Sequence, residues 1–216
     1  MPTTRLYLIR HGQTDWNVRA ALQGQVDIPL NETGKKQAAA AREMLAGLSF
    51  DAVYSSPLTR AMQTAELATG LPADKIQPDE RIKEISFGVW EGRSTSELGD
   101  AVKPFFIDPP HYQPPENAES LEHLMQRTGD FADFVLREHA GQTILAAGHG
   151  ASLHALITKA LGNPLEKFWQ ADLGNCCIAV LESNGGPFEL KEVRRPAGTA
   201  SSLSAQFLKN QEKAGE

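Results

Sequence analysis

Cysteine is nearly absent from this chain of 216 residues, which has only Cys176 and Cys177. Adjacent cysteines rarely pair with each other, and no CxxC spacing occurs, so the sequence predicts neither a disulfide framework nor a thiolate zinc site. This composition is typical of a reducing compartment, and we expect a cytoplasmic protein. The two thiols are expected to be small buried side chains.

Long apolar runs are also missing, and positive charge is scarce. No run of about 18 apolar residues occurs, so the sequence predicts no membrane span, and the first ten residues do not resemble a signal peptide. Lys and Arg number 21 against 27 Asp and Glu, which gives a net charge of −6. We therefore expect no nucleic-acid partner and no membrane partner. An acidic chain that binds an anion must build a local basic pocket.

What remains is the composition of an ordinary globular protein. Hydrophobic residues make up 41% of the chain and charged residues 22%, which excludes a disordered chain and a collagen-like repeat. A chain of this length buries enough apolar surface to fold without disulfides or metal. We predict a single domain over residues 1–195, with a proline-rich cap insertion near 95–115, and a flexible C-terminal tail over 196–216.

Strand-like and helix-like segments alternate along the sequence. Short apolar runs predict strands over residues 5–10, 51–54, 82–87, 143–147, 176–181 and 190–193. Helical spacing of apolar residues predicts helices over 37–45, 56–69, 121–135 and 153–161. The alternation predicts an α/β fold, a three-layer sandwich with a mostly parallel central sheet and helices on both faces.

Basic residues follow three of these predicted strands. Arg10 and His11 follow the first strand, and Arg60 comes shortly after the second. His149 follows the strand over 143–147. Ligands of open α/β sheets bind beyond the carboxyl ends of the strands, so we expect these side chains to meet in one pocket. Two guanidinium groups there would suit a tetrahedral phosphate.

A histidine among arginines can also do chemistry. A neutral imidazole nitrogen can attack phosphorus and form a phosphohistidine, while the guanidinium groups stabilise the charge on the transferring group. The reaction then needs an acid for the leaving alcohol. Glu84, at the edge of a predicted strand, could donate that proton and afterwards take one from water.

Five blocks of the sequence resemble the histidine phosphatase superfamily, also called phosphoglycerate mutase-like, and they stand in the family's order. They are LIRHGQTDWN (8–17), matches within 23–38, YSSPLTRAMQTAE (54–66), RIKEISFGVWEG (81–92) and AAGHGASLHAL (146–156). The similarity extends over nearly all of the chain up to about residue 182. The resemblance implies a phosphoglycerate mutase-like fold and an acid-type histidine phosphatase.

The resemblance also implies a role for each matching residue. His11 would be the phosphorylated nucleophile and Glu84 the acid and base. The implied catalytic set is His11, Glu84, His149, Arg10 and Arg60. The implied substrate-binding set is Arg10, Asn17, Gln23, Gly24, Arg60 and His149. No metal or organic cofactor is implied, the partner is a small phosphorylated substrate or inorganic phosphate, and the protein is a monomer or a homodimer.

Several functions remain open within and outside this family. The interval from Glu84 to His149 is shorter than in the true mutases, which favours a phosphomonoesterase, with an α-ribazole phosphatase-like enzyme as the narrower hypothesis. The alternatives are a cofactor-dependent phosphoglycerate mutase or bisphosphatase and, from another class, a non-catalytic module that binds phospho-ligands. Glu91 is expected to support a loop. The remaining histidines are expected to be surface or packing residues: His111, His123, His139 and His154.

Overall fold

A six-stranded sheet forms the centre of the computed structural model, which describes residues 2–197 and 202–214. The strands are β1 (Thr4–Arg10), β2 (Ala52–Ser55), β3 (Gln77–Pro78), β4 (Thr143–Gly148), β5 (Ile178–Ser183) and β6 (Glu189–Arg194). Their order is β3-β2-β4-β1-β5-β6. The pairs β3–β2, β2–β4 and β4–β1 are parallel, whereas β5 is antiparallel to both of its neighbours.

Helices cover both faces of this sheet. The α-helices of the described residues are α1 (Asp15–Val18), α2 (Glu32–Met44), α3 (Thr59–Thr69), α4 (Thr95–Leu98), α5 (Lys103–Ile107), α6 (Leu121–Glu138), α7 (Gly150–Ala160) and α8 (Leu203–Ala214). Side chains alternate along β1, so that Leu6 and Leu8 pack in the core beneath α6 and α7. Tyr7 and Ile9 pack in the core beneath α2 and α3. The predicted three-layer α/β sandwich with a mostly parallel sheet is confirmed.

A third apolar cluster lies over the carboxyl end of the sheet and includes the cap, residues 95–115. The cap consists of α4, α5 and short 3-10 turns at Gly99–Val102 and Pro109–His111. Phe105 is its central side chain, with ring centroids 5.1 Å from Phe87 and 5.2 Å from Trp169. Both cysteines are buried in the sheet cores, as the sequence predicts.

The prediction of a strand over residues 82–87 is wrong. A 3-10 turn occupies Glu80–Ile82, and the short edge strand β3 comes before it. The apolar side chains of Ile85 and Phe87 are buried as predicted, but their backbone N–H groups do not enter the sheet. They donate instead to the carboxylates of Glu84 and Glu91. The apolar alternation therefore reflects burial under the cap, and the polar contacts give this segment an irregular backbone.

The structure also differs from the predicted flexible tail over 196–216. Ser202 donates from its backbone N and from Oγ to the carboxylate of Asp172, and α8 follows. Within α8, Leu203 and Phe207 are four residues apart and share a face, and the Phe207 ring stacks on Phe106 at 4.5 Å. The small, polar residues of the segment predict a flexible tail, but these two apolar side chains are enough to dock the helix on the cap. Residues 198–201 and 215–216 of the predicted tail lie outside the described residues. None of the helices described here combines the length and the apolar composition needed to cross a membrane.

Candidate active site

Three of the predicted basic positions meet at the carboxyl end of the sheet. His11 follows β1, Arg60 is in the first turn of α3, and His149 joins β4 to α7. The imidazole rings of His11 and His149 lie 5.2 Å apart between centroids. Nε of Arg60 donates to Nδ1 of His149 at 3.1 Å. A single cluster therefore unites the ends of β1 and β4 with the start of α3.

The geometry around His11 determines which ring nitrogen carries the proton. Nδ1 lies 2.7 Å from the carbonyl oxygen of Gly12, which can only accept, so Nδ1 carries the hydrogen and Nε2 has the lone pair. Burial lowers the pKa of His11 well below its usual value, and the positive charges of Arg60 and Arg10 lower it further. His11 also borders the cavity of the site. It is a neutral imidazole with a nitrogen available as a nucleophile.

The two arginines differ in how many of their guanidinium N–H groups form hydrogen bonds within the protein. Arg60 is fully buried and donates to the carbonyl oxygens of Val26 at 2.8 Å and Gly24 at 2.7 Å, in addition to His149. Burial lowers the pKa of Arg60 to about 10, so it remains charged at neutral pH. Arg10 donates to the carbonyl oxygen of Leu173 at 2.6 Å, but its buried Nε meets no acceptor among the described atoms. Arg10 thus offers the cavity an unsatisfied donor on a charged group.

His149 is held more deeply than its partners. Nε2 contacts Oγ of Ser56 at 2.7 Å, and the side chain has no exposed surface. Burial lowers the pKa of His149 well below the usual value, followed by the effects of Arg60 and His11. Within the described part of the chain it touches Arg60 and His11 but does not itself border the cavity. In this arrangement it is a support for the other two side chains.

Glu84 is fixed by the start of α7. Its Oε1 accepts from the backbone N–H of Ser152 at 2.9 Å and of Ile85 at 3.0 Å, and Oε2 accepts from Ala151 at 3.2 Å. The first N–H groups of a helix have no partner within the helix and favour a negative charge. Glu84 is only 8% exposed and borders the cavity. Its carboxyl group therefore faces the site in a fixed orientation.

Arg127, on α6, fixes the segment that carries Glu84, and it is not among the residues predicted from the sequence. Its guanidinium donates to the carbonyl oxygens of Lys83 at 2.7 Å and Glu84 at 3.0 Å, and it pairs with Glu119 at 2.7 Å. The sequence does contain a signal. Arg127 lies three residues after Leu124, on the apolar face of the predicted helix, where a charged side chain needs a buried partner.

The three other predicted substrate-binding residues also border the cavity. Oδ1 of Asn17 accepts from the backbone N–H of Thr14 at 3.0 Å, as part of the cap of α1. Oε1 of Gln23 is buried and has no partner among the described atoms. Gly24 contributes its carbonyl oxygen to Arg60. Gln23 is thus a second unsatisfied polar group at the site.

Replacing Gly24 with alanine is expected to destabilise the protein and lower its activity. Gly24 has φ +50°, and an added Cβ would lie 2.0 Å from Oε1 of Glu91, which accepts from Gln25. We expect a loss of about 2–4 kcal/mol in the free energy of unfolding, measured with urea. Gly47 is the matched control, with φ +77° and nothing within 4 Å of an added Cβ. Gly47→Ala should cost only about 1 kcal/mol; equal losses would show that the contact with Glu91 is unimportant.

The remainder of the cavity is aromatic, and it is not among the features predicted from the sequence. His154 belongs to this part, and its ring centroid lies 4.6 Å from that of Trp169. Its ring nitrogens face the backbone carbonyl oxygens of Gly150 and Ala171, and burial lowers its pKa to about 4. His154 is a packing residue, as the sequence predicts, but the side chains that it packs against belong to the wall of the cavity. No group of metal-ligating side chains suited to an ion occurs in residues 2–197 and 202–208.

An α/β sandwich with an imidazole hydrogen-bonded to a guanidinium group at the carboxyl end of its sheet is what the resemblance to the histidine phosphatase superfamily predicts. The model of the histidine phosphatase superfamily (branch 1) matches residues 6–195, and the chain belongs to that superfamily. The resemblance noted in the sequence is therefore confirmed, and the protein is a phosphatase of this superfamily.

Relatives and solved structures support the same assignment. Phosphoserine phosphatase 1 of Hydrogenobacter thermophilus is 33% identical over 181 residues, covering 82% of this chain and 85% of that protein. The α-ribazole phosphatase of Shigella flexneri has a TM-score of 0.78 and 30% identity, covering 89% of this chain and 97% of that chain. A phosphoserine phosphatase variant of Entamoeba histolytica, solved with phosphoserine, has a TM-score of 0.80 and 28% identity, covering 90% and 98%.

Proposed function

We propose that this protein is a phosphomonoesterase that transfers the phosphoryl group of a small phosphorylated metabolite to His11 and then to water. The observation that carries the proposal is the neutral, buried His11, whose Nδ1–H is held by Gly12 and whose Nε2 is free beside two guanidinium groups. In the first step Nε2 forms a bond to phosphorus as the bond from phosphorus to the ester oxygen breaks. In the second step water replaces the imidazole, and inorganic phosphate leaves.

The arginines are suited to hold the group that is transferred. Arg10 has an unsatisfied buried Nε, and a phosphate oxygen is the acceptor that such a donor favours. Arg60 supplies positive charge, while His149 keeps its guanidinium oriented through Nδ1. Charge that is fixed before the reaction stabilises the transferring phosphoryl group without a cost of reorganisation. Asn17 and Gln23 border the same cavity, beside the proposed phosphate position.

Glu84 is the group that we propose as acid and base. Protonated, it gives its proton to the ester oxygen as the alcohol departs; as the carboxylate, it then takes a proton from the attacking water. Only the two steps together return Glu84 to the protonated acid and His11 to the free imidazole. The contacts from Ala151 and Ser152 keep the carboxyl group at the border of the cavity throughout.

We propose an acid-type phosphatase because the pKa of His11 is lowered, and the pH profile tests this proposal. The nucleophile must be neutral, and lowering its pKa preserves the neutral form at acidic pH. We expect kcat/KM, corrected for the ionisation of the ester measured by phosphorus NMR, to stay within about threefold from pH 7 to pH 5. A corrected profile that falls about tenfold per pH unit below 6.5, the usual histidine pKa, would contradict this assignment.

Trapping the intermediate tests the proposed function directly. The enzyme is mixed with a phosphomonoester, quenched in base within milliseconds, digested and analysed by mass spectrometry. We expect one phosphoryl group on the peptide that contains His11, stable in base and lost in acid. Phosphate on any other residue, or turnover with no phosphoenzyme, would overturn the proposal. The mutase alternative predicts phosphoglycerate interconversion in the same preparation, and a binding module predicts phosphate binding without turnover.

A further inference from the structure

The side chains that border the cavity fall into two groups. The first group is polar and is joined by hydrogen bonds around the proposed phosphate position, as described above. The second group is apolar and packs in the cluster beneath the cap: Leu22, Phe87, Phe105, Phe106, Trp169 and Leu203. Within it, Phe106 and Trp169 lie 5.7 Å apart between ring centroids. A phosphomonoester in this cavity would place its alcohol against the apolar group.

Glu84 stands where the two groups meet. Its carboxylate binds the backbone of Ala151, whose side chain packs into the apolar cluster beneath the cap. The ester oxygen must lie near the acid that protonates it. The alcohol therefore extends from Glu84 towards Phe105, Phe106 and Trp169, and away from the arginines.

No further charge is available on the apolar side, as far as residues 2–197 and 202–208 are concerned. The charged groups bordering the cavity are Arg10, Arg60 and Glu84, which the phosphoryl transfer itself uses. Both ring nitrogens of His154, which also borders the cavity, are taken up by the backbone carbonyl oxygens of Gly150 and Ala171, so neither faces a bound alcohol. A second phosphate or a carboxylate on the alcohol would lie there without a counter-charge, and burying an unpaired ion is costly.

The segment that leads into α8 completes this apolar wall. Ser202 and Ser204 border the cavity, but their hydroxyl oxygens lie 2.9 Å apart, and Ser202 also donates to Asp172 at 2.8 Å. Asp172 in turn is paired with Arg195 at 3.0 Å. The polar groups of this segment satisfy one another, and Leu203 between them packs with the apolar cluster.

From these observations we infer that the enzyme acts on phosphomonoesters of uncharged, apolar or aromatic alcohols, and that Leu203 and Phe106 determine this preference. The inference rests on the proposed function and specifies its substrate class. It distinguishes this chain from an enzyme for phosphorylated acids, in which the alcohol carries a carboxylate of its own.

A pair of alkyl esters tests the inference. We compare 2-phenylethyl phosphate with 3-phosphoglycerate, because both are esters of alkyl alcohols and only the second carries another anion. We expect kcat/KM to favour 2-phenylethyl phosphate by at least about 100-fold. Leu203→Lys should lower that ratio by at least about tenfold, since it replaces apolar contact with a positive charge. Leu203→Ala should reduce kcat/KM only for the phenylethyl ester.

Leu208→Lys is the matched control, because Leu208 lies on the same helix, is 36% exposed and does not border this cavity. For the Leu208→Lys enzyme, the ratio of kcat/KM for 2-phenylethyl phosphate to that for 3-phosphoglycerate should equal the ratio of the unmodified enzyme. Equal kcat/KM for the two esters, a preference for 3-phosphoglycerate, or equal effects of both lysine variants would overturn the inference. Phosphoenzyme trapping on His11 separates the two levels. A labelled His11 with the wrong preference refutes only the substrate class, whereas labelling of another residue refutes the proposed function.

Discussion

Replacing His11 with alanine is expected to abolish turnover and leave the fold intact. The substitution removes the nucleophile, and loss of the group that forms the covalent intermediate costs at least about 10⁴-fold in kcat. The side chain makes one hydrogen bond, to Gly12, so the free energy of unfolding should fall by only about 1–2 kcal/mol. Steady-state kinetics and thermal unfolding measure the two effects.

His111→Ala is the matched control, because His111 is an exposed histidine in the Pro109–His111 turn that does not border the cavity. Its kcat should remain within about twofold of the unmodified enzyme, as for an ordinary surface substitution. The decisive readout is the mass-spectrometric label, which should disappear completely in the His11 variant. A His11→Ala enzyme that still forms a phosphoenzyme would show that another side chain is the nucleophile.

Replacing Glu84 with glutamine should lower kcat/KM most for esters whose alcohol must be protonated as it leaves. An alkyl alkoxide must be protonated as it departs, so we expect kcat/KM for 2-phenylethyl phosphate to fall by about 10²–10⁴-fold. A p-nitrophenolate leaves without a proton, and kcat/KM for its ester should fall by less than about tenfold. Glutamine keeps an oxygen that can accept from Ala151 or Ser152, so the packing of α7 should survive.

Glu91→Gln separates an acid from a carboxylate that only supports a loop. Oε1 of Glu91 accepts from the backbone N–H groups of Gln25 and Phe87, and Glu91 does not border the cavity of the site. We expect small losses of similar size for both esters. If Glu84→Gln reduces kcat/KM equally for the alkyl and the aryl ester, Glu84 is a positioning residue and the proton comes from elsewhere.

The polar half of the site could be predicted from the sequence because local signals determine it. Strand, turn and helix patterns place Arg10, His11, Arg60 and His149 at ends of parallel strands, and parallel strands bring such ends together. The need for an acid points to Glu84, the matching blocks agree, and in the structure its carboxylate accepts from the first turn of α7. The meeting of these residues depends on the sheet order alone.

The apolar half could not be predicted, because it depends on contacts between distant segments. Phe106 and Trp169 are far apart in the sequence, and each is equally suited to a plain core position. The stacking of Phe207 on Phe106 holds a segment that its small, polar composition predicts to be a flexible tail. In the segment over 82–87, period-two burial resembles a strand, but side-chain carboxylates satisfy the backbone there.

The first turn of α7 has a consequence for how this scaffold can change. His149 precedes that turn and supports Arg60, while the N–H groups of Ala151 and Ser152 hold Glu84. One helix end thus sets the spacing of the reactive groups, whereas most side chains of the apolar wall come from other segments, among them α5 and α8. Substitutions of the wall residues can therefore change the substrate selectivity of the enzyme while the reactive side chains keep their positions.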